Sequence, residues 1–297
     1  MASPLRLPVA DGISLAADAY GSPADPPVVL FHGGGQTRHS WDNTARALGA
    51  AGWYSMTVDL RGHGESEWSP DGNYHLERFA ADIVAVCDGL SAPPALVGAS
   101  LGGIASLLAI GEADHPIAAG LVLVDVAPRV EPAGVERIRA FMRQGLDGFA
   151  SLEEAADAIQ TYNPHRSRPS DLSGLKKNLR LHDDGRWHWH WDPRFMGLRP
   201  TAGEGGIDGL PNERFVPHER LEAAATRVTI PTLIVRGMQS DLLSEEGAAH
   251  LRSLIPHARQ VDVAGAGHMV AGDRNDRFNV AVVDFLDTVV PAPAPPS

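Results

Sequence analysis

The run Gly98-Ala99-Ser100-Leu101-Gly102-Gly103 sets a serine among small residues, between the apolar stretch Ala95 to Val97 and an apolar helix-forming stretch that begins at Leu101. A strand that ends and a helix that begins within so few residues predict a sharp turn. A nucleophile on such a turn needs residues without a Cβ two before and two after it, because any side chain there would meet neighbouring backbone. The same turn puts Ser100 at a helix N-terminus, whose free N–H groups favour a negatively charged intermediate. The chemistry that fits is attack by the Ser100 hydroxyl on an acyl carbon; the plainer alternative is a glycine-rich turn.

A serine hydroxyl attacks only when an oriented base takes its proton, so a histidine and a carboxylate must follow at later strand ends. Of the 13 histidines, His268 is selected by position, in the Gly-rich loop Ala264 to Val270 after the last predicted strand. Asp241 follows the strand TLIVR and the turn Gly237 to Ser240, and the order Ser100, Asp241, His268 is the chain order of one class of triad. Asp125, at the end of LVLVD, also closes a predicted strand and is the rival acid; the triad order favours Asp241. Asp59, opening DLRGHGES, is read as a turn-locking residue. A tetrahedral oxyanion must meet preorganised donors, and His32-Gly33-Gly34-Gly35 directly follows the strand VVLF, which makes the Gly34 and Leu101 amides the expected pair.

Holding these residues together takes a sheet. From residue 26 onward short apolar runs alternate with helix-periodic segments, the signature of strands joined by helical crossovers. Strands are predicted at Val28 to Phe31, Tyr54 to Asp59, Ala95 to Ala99, Gly120 to Asp125, Thr232 to Arg236 and Arg259 to Val263. Helices are predicted at Trp41 to Ala51, Leu76 to Leu90, Leu101 to Ile110, Glu245 to Ile255 and Asp276 to Val289. Leu5 to Tyr20, with Asp11-Gly12 at its turn, reads as an edge hairpin. The expected fold class is α/β, a mostly parallel sheet with helices on both faces, formed by residues 1–127 and 227–290. The alternation fails over 128–226, which is read as an inserted, mainly helical cap with helices in Val135 to Phe149 and Leu152 to Tyr162; 291–297 is a Pro-rich tail.

HGGG, DLRGHGES, GASLGG, RGMQSD and GAGHMVAGD together resemble the α/β-hydrolase superfamily, and within it the epoxide-hydrolase and haloperoxidase-like branch, over nearly the whole chain. The resemblance implies a serine triad and an oxyanion hole made by the Gly34 and Leu101 amides. Epoxide hydrolases and haloalkane dehalogenases carry an aspartate where this chain has Ser100, so those two activities are not expected.

With 297 residues, 43% hydrophobic and 21% charged, the chain has an ordinary globular composition. Its net charge of -12, without a basic run, excludes the footprint of a nucleic-acid binder. No stretch has signal-peptide or membrane-span character, and the single cysteine, Cys87, fits a reducing compartment, so a cytoplasmic protein is expected. In Trp187-His188-Trp189-His190-Trp191-Asp192 an extended strand would put both histidines and Asp192 on one face, but packing of the tryptophans is preferred to metal ligation. Trp187, Phe195, Met196 and Met269 are the expected substrate-contacting residues. The resulting expectation is a serine hydrolase of an apolar small-molecule ester, lactone or thioester, with no cofactor and no metal and compatible with a homo-oligomer. Hydrolysis of a carbon–carbon bond, cofactor-free perhydrolysis and a receptor-like ligand binder are the alternatives.

Overall fold

Valine- and leucine-rich runs of five or six residues form the middle of the sheet because both of their faces are covered by helices. The computed structural model describes residues 2–164, 168, 170–200, 207–209, 217–267 and 275–289. Within them, β1 (Ser3–Pro8), β2 (Ser14–Tyr20), β3 (Pro27–Phe31), β4 (Tyr54–Val58), β5 (Ala95–Ala99), β6 (Gly120–Val124), β7 (Leu179–Leu181), β8 (Trp187–Trp189), β9 (Leu198–Pro200), β10 (Ile207–Gly209), β11 (Thr232–Gly237) and β12 (Arg259–Val263) follow in chain order. The helices are α1 (Asp42–Ala50), α2 (Leu76–Asp88), α3 (Leu101–Glu112), α4 (Pro132–Arg143), α5 (Leu152–Tyr162), α6 (His218–Thr226), α7 (Glu245–Leu254) and α8 (Asn275–Val289).

One sheet of eight strands runs in the order β1-β2-β4-β3-β5-β6-β11-β12. The strands from β4 to β12 in that order pair parallel, while β2 pairs antiparallel with both β1 and β4, the expected hairpin edge. The twofold alternation of side chains splits each central strand between two cores. Val29, Phe31, Leu96, Leu121, Leu123 and Ile234 pack on the side of α2, α3, α6 and α7. Val28, Leu30, Val97, Val122, Val124 and Val235 pack on the other side, with Ala45 and Leu48 of α1 and Phe278, Val282, Phe285 and Leu286 of α8. The α/β class expected from the alternation is the observed one.

Between β6 and β11 the chain departs from the predicted pattern in two ways. The helix predicted to reach Phe149 is α4, which starts earlier, with Pro132 in its first turn, and stops at Arg143, since Gly145 and Gly148 take φ values of 80° and 74° that no helix tolerates. Only Trp187–Trp189 of the Trp/His run is strand, paired antiparallel with β7, so this segment mixes short hairpins with its helices. At its end α6 packs on α3 so closely that a Cβ on Gly111 would lie 2.4 Å from the Ala224 carbonyl oxygen. Cys87 is buried on α2, and burial pushes its thiol up to about 12, which leaves it unreactive at neutral pH. No helix among the described residues is long and apolar enough to cross a membrane.

The turn after β4 is fixed to α2 by a buried ion pair: Arg61 Nε donates to Asp82 Oδ2 at 2.6 Å and Nη2 to Oδ1 at 2.5 Å, with both side chains inaccessible to solvent. Removing one partner strands the other charge in the core. Asp82→Ala is expected to lower unfolding free energy by about 3–5 kcal/mol, measured by urea titration, with a smaller loss for Asp82→Asn, which keeps one acceptor for the guanidinium.

Candidate active site

Ser100 sits between β5 and α3 with φ 46° and ψ −113°, a backbone conformation that costs a residue with a Cβ on the order of 1–3 kcal/mol. Three glycines make that geometry sterically open. A Cβ on Gly98 would lie 2.5 Å from Gly103 Cα, one on Gly102 2.6 Å from the Phe31 oxygen, and one on Gly103 2.7 Å from the Gly98 oxygen. Hydrogen bonds hold the elbow to the sheet: Ser100 N–H donates to the Val124 carbonyl at 3.2 Å, and Gly102 N–H to the His32 carbonyl at 3.2 Å. Ser100 and Leu101 stay partly exposed.

The glycine loop after β3 is locked by two buried histidines. Leu60 N–H donates to His32 Nε2 at 3.0 Å, so Nδ1 carries the proton and donates to the Gly33 carbonyl at 2.8 Å. A trans peptide sets its N–H opposite its C=O, so the bond that fixes the Gly33 oxygen also aims the Gly34 N–H away from His32. His63 repeats the pattern: its Nδ1 faces the Arg61 carbonyl at 3.0 Å and its Nε2 accepts the Gly35 N–H at 3.1 Å. The Gly33 N–H donates to Gln36 Oε1 at 3.1 Å. Among the described residues the amides of Gly34 and Leu101 therefore remain without an acceptor. A Cβ on Gly33 would lie 3.4 Å from Ser100 Cβ, which puts the loop beside the serine.

Below this loop Asp59 holds its turn as expected. Its carboxylate accepts from the Arg38 amide at 2.6 Å, the Arg38 guanidinium at 2.5 Å and the Glu65 amide at 2.9 Å, and a Cβ on Gly64 would collide with it. Arg38 also binds Asp18 at 2.7 Å and Glu65 at 2.8 Å.

The two carboxylates weighed from the sequence have different surroundings. Asp241 is partly exposed and pairs with Arg137 of α4 at 2.9 Å, while its carbonyl oxygen lies 2.3 Å from where a Cβ on Gly134 of α4 would sit. Asp125 is fully buried at the end of β6 with φ 51°, accepting from Gly237 N–H at 3.2 Å and from Ser240 Oγ at 2.5 Å. Gly237 in turn touches the loop that leads to His268: a Cβ there would lie 2.3 Å from the Gly267 oxygen and 2.7 Å from the Ala266 oxygen. His268 and Met269 lie outside the described residues.

Among the described residues, two apolar side chains of the segment between β6 and β11 lie against the glycine loop. Phe195 Cζ lies 3.3 Å from a Cβ built on Gly34, and Met142 Cε lies 3.0 Å from one built on Gly35. Phe195 was read from the sequence as a substrate-contacting residue. Met142 and Gln36 were not, since neither stands in a motif whose spacing marks it. Trp187 packs elsewhere, with Phe149, Ala155 and Leu179, and Met196 closes a short turn beside Phe195. The three metal-type side chains of the Trp/His run diverge: His188 meets Asp184 at 2.8 Å, while Asp192 accepts from Tyr74 at 2.6 Å and pairs with Arg194 at 2.7 Å. His190 offers its carbonyl to Gly64 N–H at 2.7 Å. No group of three His, Cys, Asp or Glu among the described residues could hold a metal ion.

Comparison with known proteins gives a consistent pattern. The family described as alpha/beta hydrolase fold matches residues 26–274. An esterase of Mycobacterium tuberculosis is 30% identical over 283 residues, covering 93% of this chain and 87% of the relative. A 3-hydroxybutyrate-oligomer hydrolase of Cupriavidus necator is 30% identical over 268 residues, covering 86% of each chain. The crystal structure of E-2-(acetamidomethylene)succinate hydrolase superposes with a TM-score of 0.80 at 23% identity, covering 97% of this chain and all of that one, a likeness of fold.

Burial holds His32 neutral down to about 4 and His63 to about 3, in each case mainly by desolvation of the charged ring. Unfolded histidines titrate near 6.5, so between these values the unfolded chain binds more protons. The stability each neutral ring contributes is complete above about pH 7 and is lost as pH falls through 6.5 toward the folded value. Lowering pH from 7 to 5 is expected to cost about 2 kcal/mol per ring in urea unfolding, with His190, also held down to about 4 by burial, contributing alongside them, and His63→Gln, which keeps an acceptor for Gly35, to remove about 2 kcal/mol of that pH dependence.

Proposed function

The chain belongs to the alpha/beta hydrolase fold family, and on that premise we propose that it is a serine hydrolase that cleaves a carboxylic ester of a small molecule through an acyl-enzyme at Ser100. The observation that carries this reading is the elbow itself: a partly exposed serine at φ 46°, flanked by two backbone amides, Gly34 and Leu101, that no protein group engages among the described residues. A polypeptide holds a strained serine beside free donors at a stability cost, which a structural turn would not require. The names of the relatives, an esterase and a 3-hydroxybutyrate-oligomer hydrolase, agree with ester chemistry, and lactones or thioesters follow the same path.

In this scheme Ser100 Oγ attacks the carbonyl carbon while His268 takes its proton, and the carbonyl oxygen becomes an oxyanion received by the Gly34 and Leu101 N–H groups. Collapse expels the alcohol, to which His268 returns the proton. Water, deprotonated by the same histidine, then releases the acid and restores Ser100. No cofactor enters the scheme, and residues 128–226 act as a cap that brings Phe195 and Met142 against the glycine loop.

For the acid that orients His268 we favour Asp125 over the Asp241 expected from chain order. Support comes from its burial, from its bond to the Gly237 amide, and from the packing of Gly237 on Ala266 and Gly267, which directly precede the histidine. Asp241 is drawn toward the cap by Arg137.

The test is a burst assay with p-nitrophenyl acetate and butyrate, with mass spectrometry to locate the acyl group. Wild type is expected to show a burst and an adduct on Ser100, and Ser100→Ala neither. Asp125→Asn is expected to lower kcat on the order of 10³–10⁴-fold, and Asp241→Asn by less than about tenfold. The reverse order would return the acid to Asp241, and a Ser100→Ala variant with unchanged turnover would refute the serine mechanism.

A further inference from the structure

Gln36 lies in a turn that holds its carboxamide in one orientation. Its backbone N–H donates to the Gly33 carbonyl at 3.1 Å and its Oε1 accepts the Gly33 N–H at 3.1 Å, so side chain and main chain close on the same residue. Because the Gly33 N–H is a donor, the oxygen must be the end that meets it, and the NH2 group is left to point elsewhere. Gly33 also lies beside the serine side chain. A Cβ built on it would lie 3.3 Å from Gln36 Oε1 and 3.4 Å from Ser100 Cβ, so the carboxamide and the serine both border Gly33.

Gln36, Gly34, Ser100 and Leu101 are each partly exposed, and among the described residues the Gln36 NH2 has no protein acceptor. The next residue shows the contrast. Thr37 is buried and spends its hydroxyl on Asn178 Oδ1 at 2.9 Å, a bond that ties the loop to the segment between β6 and β11. Gln36 makes no such tie with its amino group.

We propose that Gln36 is a substrate-recognition residue, whose NH2 group donates to a hydrogen-bond acceptor that the acyl chain carries within a few bonds of the scissile carbonyl. The inference rests on Ser100 being the nucleophile of an ester hydrolase. The preferred substrates are then esters with a keto, ether or carboxylate oxygen on the acyl chain, in place of the plain apolar ester expected from the sequence. A purely alkyl chain laid against the carboxamide would strip water from two N–H donors and offer nothing in return, whereas an acceptor at that point replaces the lost water.

The experiment compares p-nitrophenyl 4-oxopentanoate with pentanoate, and methoxyacetate with butyrate, on wild type, Gln36→Glu and Gln36→Met. The Glu variant keeps an oxygen for the Gly33 N–H while replacing the NH2 with a second acceptor, and the Met variant keeps only the shape. Because intrinsic reactivity cancels in the comparison of variants, the readout is the ratio of kcat/KM for the oxygen-bearing ester to that for its plain partner. At a partly exposed site the ratio is expected to fall roughly tenfold in both variants for at least one pair. A ratio that Gln36→Glu leaves unchanged for both pairs, with both esters slowed equally, makes Gln36 a turn-closing residue and overturns the proposal. Mass spectrometry of the wild type separates the two levels. An adduct on Ser100, or turnover lost in Ser100→Ala, with a Gln36-independent ratio refutes recognition alone, and turnover of none of the four esters that depends on Ser100 refutes the hydrolase reading and recognition together.

Discussion

The backbone at Ser100 can turn through φ 46° only where the ends of β3, β5 and β6 come within van der Waals contact, and the absence of Cβ atoms at Gly98, Gly102 and Gly103 is what permits that approach. Much of the site follows from this one steric condition. Bonding of Ser100 N–H to the Val124 carbonyl places Asp125 one residue away. Contact of Gly102 with Phe31 and His32 brings the glycine loop alongside. The proposed nucleophile, a carboxylate and a pair of amide donors at three different strand ends thus become neighbours through strand ends that cannot separate without opening the elbow.

A second layer of polar groups fixes what the elbow brings together. The buried histidines His32 and His63 act in their neutral, Nδ1-protonated form, each holding one peptide of the glycine loop. Burial that keeps them neutral is also what makes the fold sensitive to acid. Asp59 and Arg38 complete the layer beneath, where a carboxylate and a guanidinium that would each be costly alone are compensated by each other and by backbone N–H groups. Such a network organises donors in advance of the substrate, which is the condition under which amides stabilise an oxyanion effectively.

Two of the attachments of the segment between β6 and β11 differ in character. Residues 190–194 are bonded to the turn after β4 through Gly64 and Gly62, and the buried Asp192 accepts from Tyr74 and pairs with the partly exposed Arg194. Helix α4 instead rests on the turn at 241–242, where Glu131 N–H donates to the Leu242 carbonyl at 3.0 Å and Arg137 meets Asp241. The same short turn offers Ser240 to Asp125, so the docking of α4 and the setting of the buried carboxylate share one loop. That sharing explains why Asp241, in the right order along the chain, serves as a docking group in the proposed scheme.

The sequence by itself determined the α/β class and the strand and helix positions of the core, and it singled out Ser100 as the candidate nucleophile, since these depend on local periodicity and on glycines at fixed offsets from one residue. Helix α4 was misjudged at its end because Gly145 and Gly148 act through left-handed backbone that periodicity does not register. Burial and partners, which only the tertiary structure supplies, separate Asp125 from Asp241, and they are the ground on which the proposed scheme prefers Asp125. The same holds for His63, Met142 and Gln36. Their places beside the glycine loop are contacts between segments distant in sequence, or a side chain folded back on its own turn, and no spacing along the chain encodes them.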